Sequence, residues 1–415
     1  MTADIDRLAT DRQPAGGLIG SAAEALDVAA ALSVSFGRDA SARDAGRELP
    51  HEQVLALKAS GLLALSVPAR YGGPELPATV LAEVFRLLAH GDPSIGQIPH
   101  SHFTFLEALR LQGTDAQKSF FYGLVLDGAL LANAQSERGP HPLDVDTTTL
   151  ASSEAGVHRL TGRKFYCTGA LFADWVVVRA SVSDGSAGPP TSSTPKALAF
   201  VRAGTAGLQV IDDWDGMGQR TTASGTVVLD GVRVPADHVI AYSPIFTRPT
   251  LFGARAQLLH AALDVGIATA ALAEGVRQAA AARPHFEAGV ASAAEDPTVI
   301  QVAGRLAVTV RGAQALLAEA ARAVDAAAAG LTDDSAAAAS IAVATAKVAA
   351  ATAALEASSV LFELGGTRSA SATGNASRYW RDARTHTLHD ATRWKLHHIG
   401  RYVLSGVRPP RHGQL

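Results

Sequence analysis

The spacing of apolar residues changes twice along the chain. From "GSAAEALDVAAALSVSFG" to about residue 125 they recur every three or four positions, which predicts amphipathic helices. Pro and Gly interrupt this pattern at "VPARYGGPELP" (67–77) and "HGDPSIGQ" (90–97), so four or five helical segments are expected. The next runs are short, β-branched and separated by turn residues. They include "GALLANAQSERG" (128–139), "VHRLTGRKFYCTG" (157–169), "DWVVVRASV" (174–182) and "GTVVLDGVRVP" (225–235). This texture predicts an antiparallel β-domain with an irregular hairpin tip at 183–195.

Helical spacing returns after residue 240, in segments 254–283, 298–330 and 333–366. Each would be about 45 Å long at the α-helical rise. Helices this long and this rich in alanine pack closely side by side, which predicts a bundle. A coiled-coil rod would need a sustained heptad with charged flanks, and none is present. The expected fold class is therefore α+β. A flexible tail (1–17) precedes an N-terminal α-helical domain (18–127), a middle antiparallel β-domain (128–240) and a C-terminal four-helix bundle (241–415).

Composition narrows the function classes. The chain has 415 residues, 47% of them hydrophobic and 18% charged, enough for a large core. A net charge of −3 with no basic block gives nucleic acid no electrostatic footprint. The single cysteine, Cys167, excludes an internal disulfide. The polar N-terminus does not read as a signal peptide, and no uncharged apolar run reaches membrane-spanning length, so a cytoplasmic protein without a membrane partner is expected. The chain also lacks G-x-G-x-x-G after a strand, a Walker A motif, H-E-x-x-H and G-x-S-x-G. Ionisable residues concentrate in "WRDARTHTLHD" (380–390), whose His386 and His389 share one face at i and i+3.

Several stretches together resemble the acyl-CoA dehydrogenase superfamily. They are "LLALSVPARYGGPEL", "NAQSERG", "LTGRKFYCTGALFADWVVV", "GMGQRTTASGTVVLDGVRVP" and "LFELGGTRSA" followed by "RYWRDART", in the family's order. The C-terminal stretch "RYWRDARTHTLHDATRWKLHHIGRYVLSG" is similar to the flavin-dependent monooxygenase branch, which includes dibenzothiophene monooxygenase and the sulfur-acquisition oxidoreductases. That resemblance implies helical, β and four-helix-bundle parts in a homotetramer. It also implies reduced FMN as cofactor, with FAD as the runner-up. The reduced flavin would come from a separate NAD(P)H-flavin reductase and form a C4a-hydroperoxide with O2. This would oxygenate a small organosulfur substrate, or a related heteroatom or aromatic carbon.

Residue by residue, the resemblance makes Thr168 the flavin-edge hydroxyl and His102 the flavin-facing histidine, with His100 the competing choice. His386 and His389 match the branch's paired histidines, either of which could relay a proton at neutral pH. Ser136, Tyr166 and Cys167 would contact the ring, and Arg283 the phosphate. Gly365 and Gly366 would form the flavin-side turn. No metal is expected, although Asp390 beside the two histidines offers suitable ligand types.

One departure separates two chemistries. Dehydrogenases of the superfamily commonly carry Tyr-Glu-Gly-Thr, with the Glu as base, where this chain has His389-Asp390-Ala391-Thr392. An aspartate is one methylene shorter, and proton abstraction needs the carboxylate within about 3 Å. The alternatives are an FAD-dependent acyl-CoA dehydrogenase using Asp390, an N- or aromatic hydroxylase of the same branch, and a non-catalytic flavin-binding paralogue.

Overall fold

A computed structural model describes residues 17–154, 156–183 and 188–415. Apart from Gly17 the expected tail lies outside them, as does part of the expected hairpin tip.

Seven helices come first: α1 (Ala22–Arg38), α2 (Ala40–Gly46), α3 (His51–Ala59), α4 (Ala78–Gly91), α5 (Pro93–Gln97), α6 (His100–Gln112) and α7 (Asp115–Leu126). Their starts follow capping chemistry. The Asp92 carboxylate accepts the Ser94 N–H at 2.9 Å, caps α5 and also accepts Arg43 Nη2 at 2.9 Å. Thr114 and Gln117 form a reciprocal capping box at α7.

The sheet comprises β1 (Leu131–Ala134), β2 (Thr149–Glu154), β3 (Val157–Lys164), β4 (Trp175–Ser183), β5 (Lys196–Arg202), β6 (Leu208–Ile211), β7 (Thr226–Pro235) and β8 (Val239–Ala241). Its order is β6-β7-β3-β2-β4-β5-β8, with β1 also on β4. The sheet is mixed where the turn pattern predicts antiparallel pairing. β1 lies parallel to β4 from Leu131 opposite Trp175, and β2 lies parallel to β4 from Thr149 opposite Ser181. β1 and β2 therefore occupy one edge of β4 in succession, and residues 135–148 leave that edge and rejoin it. Turn signals could not reveal this, because parallel partners are joined by long connections rather than tight turns.

The last part holds α8 (Phe252–Ala280), α9 (Pro297–Ala329), α10 (Asp333–Gly365), α11 (Ser377–His386) and α12 (Thr392–Ser405). By length and composition α8 and α10 could cross a bilayer, but 83% of the α8 window is buried within the protein. Close approach explains the small residues: a Cβ on Gly266 of α8 would come within 2.6 Å of the Arg86 carbonyl on α4. One apolar core joins the N-terminal helices, one face of the sheet and the bundle. A second, smaller core fills the other face of the sheet.

Candidate active site

The three parts meet at a junction that collects most of the molecule's buried histidines. The α5–α6 connection delivers His100 there, the middle of α8 delivers His260 and Asp264, and α10 delivers Lys347. His386 ends α11, and His389 follows on a turn in which its N–H donates to the His386 carbonyl at 3.0 Å.

The side chains form a connected set. His386 Nδ1 lies 2.5 Å from Asp264 Oδ1, and Lys347 Nζ lies 2.6 Å from Asp264 Oδ2. His386 Nε2 is 3.0 Å from His260 Nδ1. The His260 ring stacks on His100 at 3.7 Å between centroids and lies 4.0 Å from His389. His100 Nε2–H donates to the Ala256 carbonyl at 2.9 Å. Burial drives the His100 pKa down to about 3 and that of His260 well below its ordinary value, so both rings are neutral at pH 7. Burial also works to raise the Asp264 carboxyl, but the adjacent Lys347 and His386 outweigh it and hold the group ionised.

His102, two residues further on, takes another direction. It is fully buried, its Nε2–H donates to the Leu63 carbonyl at 2.8 Å, and its Nδ1 accepts the Leu131 N–H at 3.1 Å. Both nitrogens are committed to backbone, so His102 fastens α6 to β1 and has no nitrogen left for the junction. His100 is the α6 histidine that joins the group.

His389 is exposed on the wall of a cavity of about 930 Å³. Protein packs around the rest of its ring and lowers its pKa, while water reaches it from the cavity. Arg384, Arg393, Lys395, His398 and His412 also line the cavity, together with the Asp390 side-chain carboxylate. Lys395 Nζ holds Asp390 Oδ2 at 2.5 Å. Burial works to raise the Asp390 carboxyl, and the ammonium groups of Lys347 and Lys395 outweigh it, so its pKa lies below the ordinary value. The other oxygen, Asp390 Oδ1, is buried with no protein partner.

The β-domain contributes a polar rim. Thr168 Oγ1 is 2.7 Å from Ser224 Oγ, which is 2.7 Å from Thr222 Oγ1, and the Thr222 hydroxyl donates to the Gln219 carbonyl at 3.0 Å. Gly169 packs against Ile98, two residues before His100, so this rim borders the junction. Tyr166 holds a left-handed backbone (φ 58°), leaving its ring exposed and its carbonyl accepting Asn133 Nδ2 at 3.1 Å. Ser136 is exposed nearby, bridged to Phe165 through backbone. Cys167 is different: it is fully buried, its N–H donates to the Gly225 carbonyl at 3.0 Å, and burial pushes its thiol up to about 12. It offers the junction neither a thiolate nor a free amide.

Arg283, Gly365 and Gly366 lie elsewhere. Arg283 is exposed beyond the end of α8, and Gly365 and Gly366 close α10 beside Gln278. Gly365 is 18 residues past Lys347, about 27 Å along the helix. Within one protomer these three do not converge on the histidines. Arg381, a neighbour of the histidine segment, is scaffold: it pairs with Asp44 and donates to Asn375 Oδ1 at 2.9 Å. Its chain neighbour Asp382 instead accepts the Gln219 N–H at 2.5 Å, and burial raises its pKa to about 7. Among the described residues no group of three or more His, Cys, Asp or Glu is arranged to hold a metal ion.

His260, Asp264, Lys347, Lys395 and Ser224 are absent from the residues expected from sequence. A signal for some of them was present, since Lys347 is the one basic residue of an alanine-rich helix and His260 and Asp264 are spaced i, i+4 on another.

Two family descriptions match: "Acyl-CoA dehydrogenase, N-terminal domain" over residues 30–129 and "Acyl-CoA dehydrogenase, C-terminal domain" over 258–394. The dibenzothiophene monooxygenase of Rhodococcus qingshengii is 32% identical over 366 residues, covering 85% of this chain and 86% of that protein. This chain belongs to the acyl-CoA dehydrogenase family. A probable FMNH2-dependent monooxygenase, SfnC of Pseudomonas putida, is 31% identical and covers 93% of this chain and 96% of its own length. The crystal structure of FMN-bound TdsC from Paenibacillus sp. A11-2 superimposes with a TM-score of 0.88 at 31% identity, covering 94% of this chain and 100% of that one. On the acyl-CoA dehydrogenase fold, then, the histidine junction sits where helical, β and bundle parts meet, with Asp390 next to it in sequence.

Proposed function

We propose that this protein is a reduced-FMN-dependent monooxygenase acting on a small organosulfur compound. The observation that carries the reading is the treatment of Asp390. A dehydrogenase base must bind a proton readily, and here the Lys395 ammonium 2.5 Å away makes the carboxylate a weaker base. Four histidines converge instead beside the cavity, and proton exchange is what an oxygenase needs as one oxygen atom leaves as water.

The residues present suit FMN. The cavity is within the size range of small-molecule sites and its cationic lining suits a phosphate. Asp390 Oδ1 offers a polar contact on its wall, and the Thr168 hydroxyl another on the β-domain rim. Bound reduced FMN would supply the electrons for O2 activation. Thr168, Ser136 and Tyr166 would orient the ring, and the apolar packing behind His100 and His260 would keep bulk water out. His100 takes the place expected of His102, and with His386 and His389 forms the proton-handling group. Cys167 acts only as core beneath the ring. Arg283, Gly365 and Gly366 reach a cofactor only if a second copy brings the far end of its bundle to the cleft. We therefore read the enzyme as a cytoplasmic homotetramer, supported by exposed Trp394, Leu396, Val403 and Leu404 on α12. By likeness to the FMNH2-dependent SfnC, a separate NAD(P)H-flavin reductase is its expected partner.

The test is a reductase-coupled assay under ¹⁸O2 with dibenzothiophene and small alkyl sulfur compounds. Label in a sulfoxide or sulfone product is expected. No labelled product, together with bleaching of oxidised FAD by an acyl-CoA, would establish the dehydrogenase instead.

A further inference from the structure

Four members of the junction are almost completely sealed: Asp264, Lys347, His260 and His386 are each no more than 1% exposed. Burying an ammonium and a carboxylate costs more than burying apolar groups of the same volume, so packing alone does not call for them. We propose that Asp264 and Lys347 are positioning residues that set, through His386, which nitrogen of His260 carries a proton, making His260 Nε2 the proton-exchanging end of the group.

The argument follows donors and acceptors. A carboxylate only accepts, so Asp264 takes Lys347 Nζ–H on one oxygen and His386 Nδ1–H on the other. Lys347 already balances the Asp264 charge, so we take His386 with a single proton, on Nδ1; its Nε2 is then bare, and His260 Nδ1, 3.0 Å away, is the donor. That leaves His260 Nε2 bare. The order of protons along the chain is thus dictated from its buried end.

The chain can store one proton. When His260 Nε2 takes a proton, His260 Nδ1–H passes to His386 Nε2, and the added charge rests on the His386 imidazolium beside Asp264. The reverse sequence returns the proton at His260 Nε2. One proton enters, one crosses and the chain gains one positive charge. His389, 4.0 Å from His260 and wetted by the cavity, connects this end to water. The groups facing the store are Asp264 and His260 from α8, Lys347 from α10, His100 from α6, His389 and Asp390 from the segment after α11, and Lys395 from α12. Lys347 and Lys395 oppose its charging, and Asp264 and Asp390 favour it.

This rests on the oxygenase reading for its purpose, the supply of a proton to departing oxygen, but its chemistry is testable in the free protein. Solid-state ¹⁵N NMR of histidine-labelled protein without cofactor should show His260 and His386 protonated at Nδ1 alone near pH 7. A proton on His260 Nε2 would overturn the proposal, and this measurement needs no variant. In the coupled assay, Lys347→Met should move the alkaline limb of the coupling-versus-pH profile up by about one pH unit, and Asp264→Asn should move it down. His260→Asn, which keeps a donor at the Nδ1 position and loses Nε2, should raise H2O2 release about tenfold. A merely structural role would shift both charge variants alike or not at all, and that result would overturn the proposal. Wild-type protein that incorporates no oxygen would sink the oxygenase reading while the NMR result still judges the proton chain.

Discussion

Two of the molecule's buried clusters of charge differ in how completely they are closed. In the β-domain, Lys164 Nζ donates to the Gln135 carbonyl at 3.1 Å, Glu137 Oε1 at 2.7 Å and Asp146 Oδ1 at 2.8 Å, using all three of its protons. Asp146 is further held by Arg179 Nε at 2.7 Å, and Glu137 by the Thr147 and Thr148 amides at 2.8 and 2.9 Å. The charged groups of that set are all paired with one another or with backbone, although the Thr148 hydroxyl beside them has no partner. The junction uses the same residue types but stays open at one side, with His389 wet, Asp390 Oδ1 unpartnered and a cavity beyond them. A saturated cluster holds chain segments together; an unsaturated one is available for chemistry. Charge and burial alone do not distinguish them, and the count of unused donors and acceptors does.

Several substitutions would break or sharpen that contrast. Lys164→Met should have the largest effect, stranding two carboxylates and costing about 3–5 kcal/mol, read from the denaturant midpoint. A cost below 1 kcal/mol would mean the cluster is not a clamp. His102→Ala should come next. It removes two buried backbone partnerships worth about 2–3 kcal/mol together, without raising H2O2 release per turnover in the protein that remains folded. His100→Ala should show the opposite profile, with a small change in melting temperature and a several-fold rise in uncoupling; matching profiles for the two variants would erase the distinction between them.

The acid response of the closed cluster gives a smaller effect. Lys164 and the Thr147 and Thr148 bonds outweigh burial and lower the Glu137 pKa from 4.5 to about 2. Its contribution is fully present above pH 4.5 and is lost as pH falls through about 2, amounting to about 3 kcal/mol at most. Glu137→Gln should therefore flatten the melting-temperature profile between those values, and an unchanged profile would remove Glu137 from the clamp. Least affected should be Asp390→Glu. With Lys395 still beside it, the longer carboxylate should not bleach bound flavin when an acyl-CoA is added, and bleaching would reopen the dehydrogenase reading.

Periodicity located the long helices closely, since α9 and α10 begin at Pro297 and Asp333 where the apolar spacing places segments from 298 and 333. Local pattern is strong there because the whole signal lies within one element. The parallel pairing of β1 and β2 with β4 was invisible because it joins residues more than 30 positions apart. The site divided along the same line. His386 and His389 were legible because chemistry crowds one short segment, whereas the His260–Asp264 pair of α8 and the lone Lys347 of α10 gain meaning only where α8, α10 and α11 meet. The choice between His100 and His102 was decided by what each ring nitrogen touches, which two residues of sequence cannot state.

The excursion at 135–148 leaves β4 after Ala134 and returns to the same edge at Thr149. Its two ends are fixed by separate stretches of β4 and tied to β3 by the Lys164 clamp, whose acceptors Gln135, Glu137 and Asp146 it carries, so the freedom to change length lies in the stretch between Glu137 and Asp146. Between those anchors it carries Ser136, bridged to Phe165, and Leu143 on the cavity wall. The sheet thus acts as a socket for an exchangeable insert. Recombining its middle among relatives, with Gln135, Glu137 and Asp146 kept for the Lys164 clamp, is a compact route to new substrate preference on an unaltered scaffold.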